Sequence, residues 1–418
     1  MDFYLILIYI LAYIGLFSTS FYIINLFTYY RKKKKPEPAT DKTVSIIIPA
    51  YNEEKSIAKT IKSALSINYP KNKFEIIVVD DGSKDNSYQI AKRFASNQNP
   101  KVKVFKKDIN GGKGSALNLG IKKARGEIII TMDADTIVHP DSLKKMVGYF
   151  TEGDIMSVAP AMGVFEPKNI WRRIQQIEYY MGVFLRKSFA SMNAIHITPG
   201  AFSAYRKVFF EKHGGFDEKN ITEDLEVALR IQSLDYRLEN AEEAAVYTIG
   251  PGTFRSLMVQ RRRWYTGLMK NLWDYRRLFG PKTGALGTVV LPTAISTIFL
   301  SVTLTIYVVI KALAKIKKEL LELNAINFQF QNTFEISSYM IEVFLLTMLS
   351  SKLLLLTILF IALLWFYMIF SRRKMMYRGS IRLNFILFTF FFSFLFAFWW
   401  IVSTIYIVFN KKVVWREE

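Results

Sequence analysis

The hydrophobic and polar positions fall into two regimes. Residues 3–30 are almost wholly apolar, and apolar blocks return at about 286–312, 341–370 and 383–409. Each exceeds the roughly 20 residues that a helix needs to cross a bilayer core. Between them the pattern changes to short β-branched runs alternating with helical periodicity. Thr43–Pro49 is a strand stopped by Pro, and Ile57, Ile61, Ala64 and Leu65 then recur at helical spacing. Phe74–Val79 is a second strand, followed by a helix over Asn86–Ser96, a short strand over Val102–Phe105 and a helix over Ser115–Ala124. Glu127–Asp135, EIIITMDAD, is the central strand, with Asp133 and Asp135 at its carboxyl end. Alternating strands and helices predict right-handed crossovers and a ligand lodged over the carboxyl edge of a mostly parallel sheet.

Further on, Ile170, Ile174, Ile177, Met181 and Phe184 recur at helical spacing, which fits a helix in the membrane interface or one packed on the α/β domain. Ile197–Arg206 reads as a strand whose Gly permits close backbone approach, beside the substrate. These patterns divide the chain into a transmembrane helix (1–30), a basic linker (31–42) and a cytoplasmic α/β domain (43–284) with interfacial helices near 168–190 and 253–280. A second span (285–312), an extracytoplasmic loop (313–340), a third span (341–370), a cytoplasmic loop (371–382), a fourth span (383–409) and a tail (410–418) follow.

Charge sets the orientation. The chain carries a net charge of +21, and its basic runs, Arg31–Lys35, Arg261–Arg263 and Arg372–Lys374, sit beside apolar blocks. That placement points to the cytoplasmic face of an anionic membrane and away from nucleic acid, with solvated flanks as the simpler reading of each run. Arg31–Lys35 follows the first apolar block, the reverse of a cleaved signal peptide, so the amino terminus is expected outside. The KIKKE stretch at the start of the outer loop runs against the positive-inside rule, and an amphipathic surface helix is the alternative for that loop.

Composition narrows the chemistry. There is no Cys, and His occurs only at 139, 196 and 213, so a thiolate site is excluded and any metal is held by oxygen. Asn110–Gly114 is glycine-rich but matches neither a Walker A loop nor the dinucleotide G-x-G-x-x-G. Lys113 in that loop either reaches a phosphate or is a surface lysine.

Three short motifs carry the candidate reaction, and each has a plainer structural reading. Asp133 and Asp135 suit Mg²⁺ or Mn²⁺ on a diphosphate, but also an Asp-rich turn. Thr222-Glu223-Asp224 offers a carboxylate base for a hydroxyl nucleophile, but also an N-cap with acids in the first helical turn. Gln260-Arg261-Arg262-Arg263-Trp264 offers Arg for phosphate oxygens and an indole face for a sugar. It also fits a basic amphipathic helix burying Phe254, Leu257, Met258, Leu268 and Leu272.

PAYNEE (49–54), VDDGS (79–83), DAD (133–135), TED (222–224) and QRRRW (260–264), in that order and spacing, resemble the membrane-integrated processive family 2 glycosyltransferases. That group includes hyaluronan, chitin, cellulose and poly-N-acetylglucosamine synthases. The resemblance covers roughly 43–270 and extends to the flanking apolar helices. It implies an α/β GT-A (Rossmann-like) domain and inverting transfer from a nucleotide-sugar donor, most often a UDP-sugar, with Mg²⁺ or Mn²⁺. Carried over by position, Ala50, Tyr51, Glu53, Asp81, Lys113, Asp133 and Asp135 would bind the nucleotide sugar. Within that set Tyr51, Glu53 and Asp81 would contact the nucleoside, Lys113 and Asp133 the diphosphate, and Asp135 the metal. Asp224 would be the general base, flanked by Thr222 and Glu223. Gln260, Arg263 and Trp264 would line the diphosphate and acceptor sites. The acceptor would be a polysaccharide or a membrane lipid, and four spans leave room for a homo-oligomer or an export partner. No PilZ-like regulatory domain is legible after the last span. Ceramide glucosyltransferase-like enzymes, with a related Q-x-x-R-W, are the single-sugar alternative, and an inactive membrane scaffold is the non-enzymatic one.

Overall fold

The computed structural model describes residues 3–98, 100–325, 339, 341–343, 346–347, 351–375, 381–411 and 413. After an amino-terminal helix α1 (Phe3–Lys32), the expected alternation unfolds as β1 (Val44–Ala50), α2 (Ile57–Leu65), β2 (Phe74–Asp80), α3 (Ser87–Lys92), β3 (Lys101–Lys106), α4 (Lys113–Lys123) and β4 (Ile128–Thr131). Every residue of β1, β2 and β4 is buried. Strands covered on both faces read as continuous β-branched runs, which is why these three stand out in the sequence. β1 pairs in parallel with both β2 and β4, and β2 with β3.

The second half of the sheet is less regular. It comprises β5 (Thr136–Val138), α5 (Ser142–Val147), β6 (Ile155–Val164), α6 (Ile170–Ser191), β7 (Ser203–Arg206), α7 (Lys207–His213), α8 (Glu223–Ser233), β8 (Arg237–Thr248) and α9 (Phe254–Asp274). The eight strands lie in the order β3-β2-β1-β4-β7-β6-β8-β5. β7 runs antiparallel to β4 and β6, β6 is parallel to β8, and β5 is antiparallel to β8. The sheet is therefore Rossmann-like on one side of β4 and mixed on the other.

Sequence periodicity misses β5, β6 and β8. β6 carries an interior Pro160 and shifts register between Pro160 and Ala161, a bulge that tolerates the missing donor. β8, RLENAEEAAVYT, has a helix-former's composition, yet Glu239 and Glu242 are buried in it. Glu242 is held there by Tyr30 Oη at 2.6 Å and Lys374 Nζ at 2.9 Å, partners from remote segments. Of the expected strand over 197–206 only Ser203–Arg206 pairs.

α6 packs on both sides. Ile174, Ile177, Tyr180 and Val183 share a buried cluster with Ala161 and Ala245 of the sheet and with Met368 and Phe388 of the apolar helices that follow, whereas Ile170 is exposed. The packing on the α/β domain expected of this helix is thus present, and the same helix also packs on the apolar helices.

Three long helices complete the described chain: α10 (Leu291–Ala325), α11 (Lys352–Arg372) and α12 (Arg382–Val408). With α1 they make four helices long and apolar enough to cross a membrane. α10 runs past the expected end of its span, so residues 313–325, read as the start of a loop, are helical. Good helix formers and the i,i+4 pairs Lys315–Glu319 and Lys318–Glu322 account for the extension. Residues 326–338 and 340 of the expected outer loop, 344–345 and 348–350 of the expected third span, and Arg378 lie outside the described residues.

Candidate active site

The carboxyl ends of β1, β2 and β4 converge with the amino-terminal ends of α4 and α8. Ala50 ends β1, and its carbonyl accepts from the amide of Asp81 at 2.8 Å. Tyr51 follows at the edge, and Asn52 turns the chain with φ +54°, so α2 begins only at Ile57. Glu53 accepts from Ser56 Oγ at 2.6 Å. Asp81 is buried and accepts from the amides of Gly111 (3.1 Å) and Gly112 (2.7 Å) and from Lys107 Nζ. It therefore fixes the glycine loop that delivers Lys113 as the first residue of α4.

Lys113 is the hub. Its ammonium lies 2.7 Å from Asp133 Oδ1 and 2.9 Å from Glu223 Oε1, and only 13% of its side chain is exposed. The surface-lysine reading of Lys113 is set aside on this ground. Burial pushes the lysine pKa down, but Asp133, Glu223 and Asp224 together outweigh it and hold it above its ordinary value. Burial in turn raises the Glu223 carboxyl, reinforced by Asp224 and opposed by Lys113 and Arg263.

Asp135 sits where β4 gives way to β5. Burial, then Asp133 and Glu53, push its carboxyl up to about 7, against a 3.2 Å hydrogen bond from Thr248 Oγ1 and the nearby Lys113. Asp133 and Asp135 thus form a like-charged pair offering only oxygen. Among the described residues no group of three or more His, Cys, Asp and Glu is placed to hold a metal. Two carboxylates, one of them disfavoured by its neighbour, are nonetheless a donor set that a hard divalent cation suits when a diphosphate supplies further oxygens.

Asp224 opens α8 with both oxygens engaged by backbone: Oδ2 accepts from the amide of Gly200 at 2.9 Å and Oδ1 from that of Leu225 at 2.9 Å. A Cβ at Gly200 would lie 2.5 Å from Lys113 Nζ, 3.1 Å from Asp224 Oδ2 and 3.5 Å from Asp133 Oδ1. Glycine at 200 is what lets these three charged groups share one space. Thr222 occupies the N-cap position but makes no capping bond. Its hydroxyl instead donates to Asn220 Oδ1 at 3.2 Å and accepts from Asn271 Nδ2 at 2.9 Å, which ties α8 to α9.

The basic motif on α9 departs from the solvated reading. Arg261 and Arg262 are 1% and 5% exposed. Arg261 grips both oxygens of Glu178 at 2.7 Å each, and Arg262 donates to Tyr406 Oη at 2.9 Å. Arg263 points the other way, donating to the carbonyl of Ile221 at 3.3 Å beside the Thr222–Asp224 turn. Trp264 lies in an apolar cluster with Leu257, Tyr265 and Trp399. Gln260 keeps a buried oxygen without a hydrogen-bond partner among the described residues.

The geometry thus gathers Lys113, Asp133, Asp135, Glu223, Asp224 and Arg263. Ala50, Tyr51, Glu53 and Asp81 stand at the adjoining strand ends, and no described contact brings Gln260 or Trp264 to the two aspartates. Sequence reasoning missed Glu178, whose place on α6 gives no local signal. It placed the glycine of 197–206 beside the substrate as a point of close backbone approach, without the charged groups that meet there.

A half-parallel, half-mixed sheet with acids at the carboxyl edge of β4 and at the start of α8 is the architecture of a GT-A glycosyltransferase domain. Residues 45–214 match the model for glycosyl transferase family 2, and the chain carries a domain of that family. It is 29% identical over 279 residues to a poly-β-1,6-N-acetyl-D-glucosamine synthase of Staphylococcus epidermidis, 63% of this chain and 67% of that protein. It is 30% identical over 235 residues to a β-monoglucosyldiacylglycerol synthase of Nostoc sp., 56% of this chain and 50% of that protein. The matched segments span half to two thirds of these relatives. In three dimensions it superposes on a mannosyltransferase of Pyrobaculum calidifontis, solved with GDP-mannose and Mn²⁺, with a TM-score of 0.58 and 19% identity over 96% of this chain and 100% of that one. That likeness establishes the fold.

Proposed function

We propose that this protein is a metal-dependent inverting glycosyltransferase that moves a sugar from a nucleotide-sugar donor, most simply a UDP-sugar, to the hydroxyl of a growing polysaccharide at the cytoplasmic membrane face. The observation that carries this reading is the meeting of Asp224, Lys113 and Asp133 around Gly200. Asp133 and Asp135 would hold Mg²⁺ or Mn²⁺, which supplies charge neutralisation on the diphosphate leaving group. Lys113 adds a fixed positive charge at the same place. Asp224, oriented by two backbone amides, takes the proton of the acceptor hydroxyl as its oxygen attacks the anomeric carbon. The new glycosidic bond forms on the face opposite the departing nucleoside diphosphate, and the configuration inverts. Arg263 lies beside the same turn to meet phosphate oxygens.

The polymer reading draws on the poly-N-acetylglucosamine synthase relative and on four apolar helices beside the domain. The glucosyldiacylglycerol synthase relative favours the second reading, one sugar added to a membrane lipid. Membranes containing the protein, given UDP- and GDP-sugars with Mn²⁺ or Mg²⁺, distinguish the two by product size. Asp224→Asn keeps the shape and removes the base, so transfer should fall by at least about 10²-fold. A variant with full turnover would refute the base assignment.

A further inference from the structure

Arg261 is a fully buried cation inside the Gln260–Trp264 motif, and the reaction as described does not use it. Its guanidinium is paired through both outer nitrogens to Glu178 of α6. Its central carbon, Cζ, lies over the ring of Trp264, 4.4 Å from the ring centre, and over that of Trp399 at 5.4 Å, a residue 1% exposed on α12. Guanidinium planes stack on indole faces, and the bidentate carboxylate fixes the plane's orientation. One face of Trp264 is therefore closed by Arg261, and a stacking sugar is restricted to the rest of the ring.

We infer that Glu178 is a positioning residue for the acceptor: through Arg261 it sets the plane of Trp264 and ties that plane to the apolar helix α12 through Trp399. This rests on the proposed transferase activity and on the place at the acceptor site that the Q-x-x-R-W resemblance implies for Trp264. Removing the carboxylate frees the guanidinium and lets the indole rotate, while Lys113, Asp133 and Asp224 are untouched. Donor handling and acceptor handling should then separate.

The test is Glu178→Gln in the full chain in membranes, measuring hydrolysis of the nucleotide sugar by water alongside transfer to acceptor. We expect transfer to acceptor to drop about tenfold or more, as for other small misplacements of a reacting group. Donor KM and donor hydrolysis should stay near wild type. Trp264 emission, taken as the difference between each protein and its Trp264→Phe counterpart, should become easier to quench with acrylamide. An unpaired buried Arg is costly, so Glu178→Leu with Arg261→Met, which removes both charges at similar volume, is the companion variant. It should fold and show the same split. Parallel loss of hydrolysis and transfer, or no change in either with unchanged Trp264 quenching, would overturn the inference. Should the wild type neither hydrolyse nor transfer any nucleotide sugar, the proposed function fails, and the quenching difference alone decides the role of Glu178.

Discussion

At the scale of single residues, the site is governed by how closely like and unlike charges are packed. Gly200 is the tightest point. Gly200→Ala would set a methyl 2.5 Å from Lys113 Nζ, and since the end of a lysine can move, the fold should survive while the charge pattern does not. Misplacement of this order costs about 10²-fold in rate, so initial transfer rates should collapse with the melting temperature nearly unchanged. Full activity in Gly200→Ala would show that the three groups need not converge. Asp135 gives a second test. Its folded pKa of about 7 lies above the roughly 3.9 of an unfolded aspartate, so the folded state binds the proton more tightly. The resulting stability is fully present below the unfolded value and is lost as pH rises through the folded one. Between about pH 4 and 7 the melting temperature of the wild type should fall more steeply than that of Asp135→Asn. Added Mn²⁺ should lessen the decline in the wild type only. Identical slopes would show that Asp135 does not hold its proton in the folded state, and an equal Mn²⁺ response in Asp135→Asn would remove Asp135 from the metal assignment.

At the scale of elements, the site depends on two helices meeting. α8 presents Glu223 and Asp224, and α9 presents Arg263, and the contact between them runs through Gly267. A Cβ there would lie 2.3 Å from Thr222 Oγ1 and 2.5 Å from Thr222 Cγ2. Gly267→Ala should therefore lever α9 away from α8. Overpacking of this kind typically costs about 1–3 kcal/mol, which thermal unfolding in detergent would register as a lowered melting temperature. A variant as stable as wild type would mean that the helices are not locked at this crossing. The α9 sequence alone offers no hint of this, because Gly267 is one residue in a helical pattern and Thr222 is 45 positions away.

At the scale of the whole molecule, the sequence by itself determined the parts whose physical cause is local. Continuous β-branched runs specify β1, β2 and β4, because strands buried on both faces need no polar alternation. Long apolar blocks specify α1, α10, α11 and α12, because a helix must be apolar over some 20 residues to sit in lipid. The ordered acids and the Q-x-x-R-W pattern were legible for the same reason: each motif keeps its spacing within one turn or strand end. Tertiary structure alone decided the rest. β8 is a strand because Tyr30 and Lys374, more than a hundred residues from it in either direction, satisfy Glu242 inside the fold. Arg261 is a buried clamp rather than a solvated flank because Glu178 meets it from another helix. Gly200 matters because Lys113, Asp133 and Asp224 arrive around it from three separate elements. Burial of a charge is settled by a partner, and no local pattern of hydrophobic and polar positions records where in the chain that partner lies.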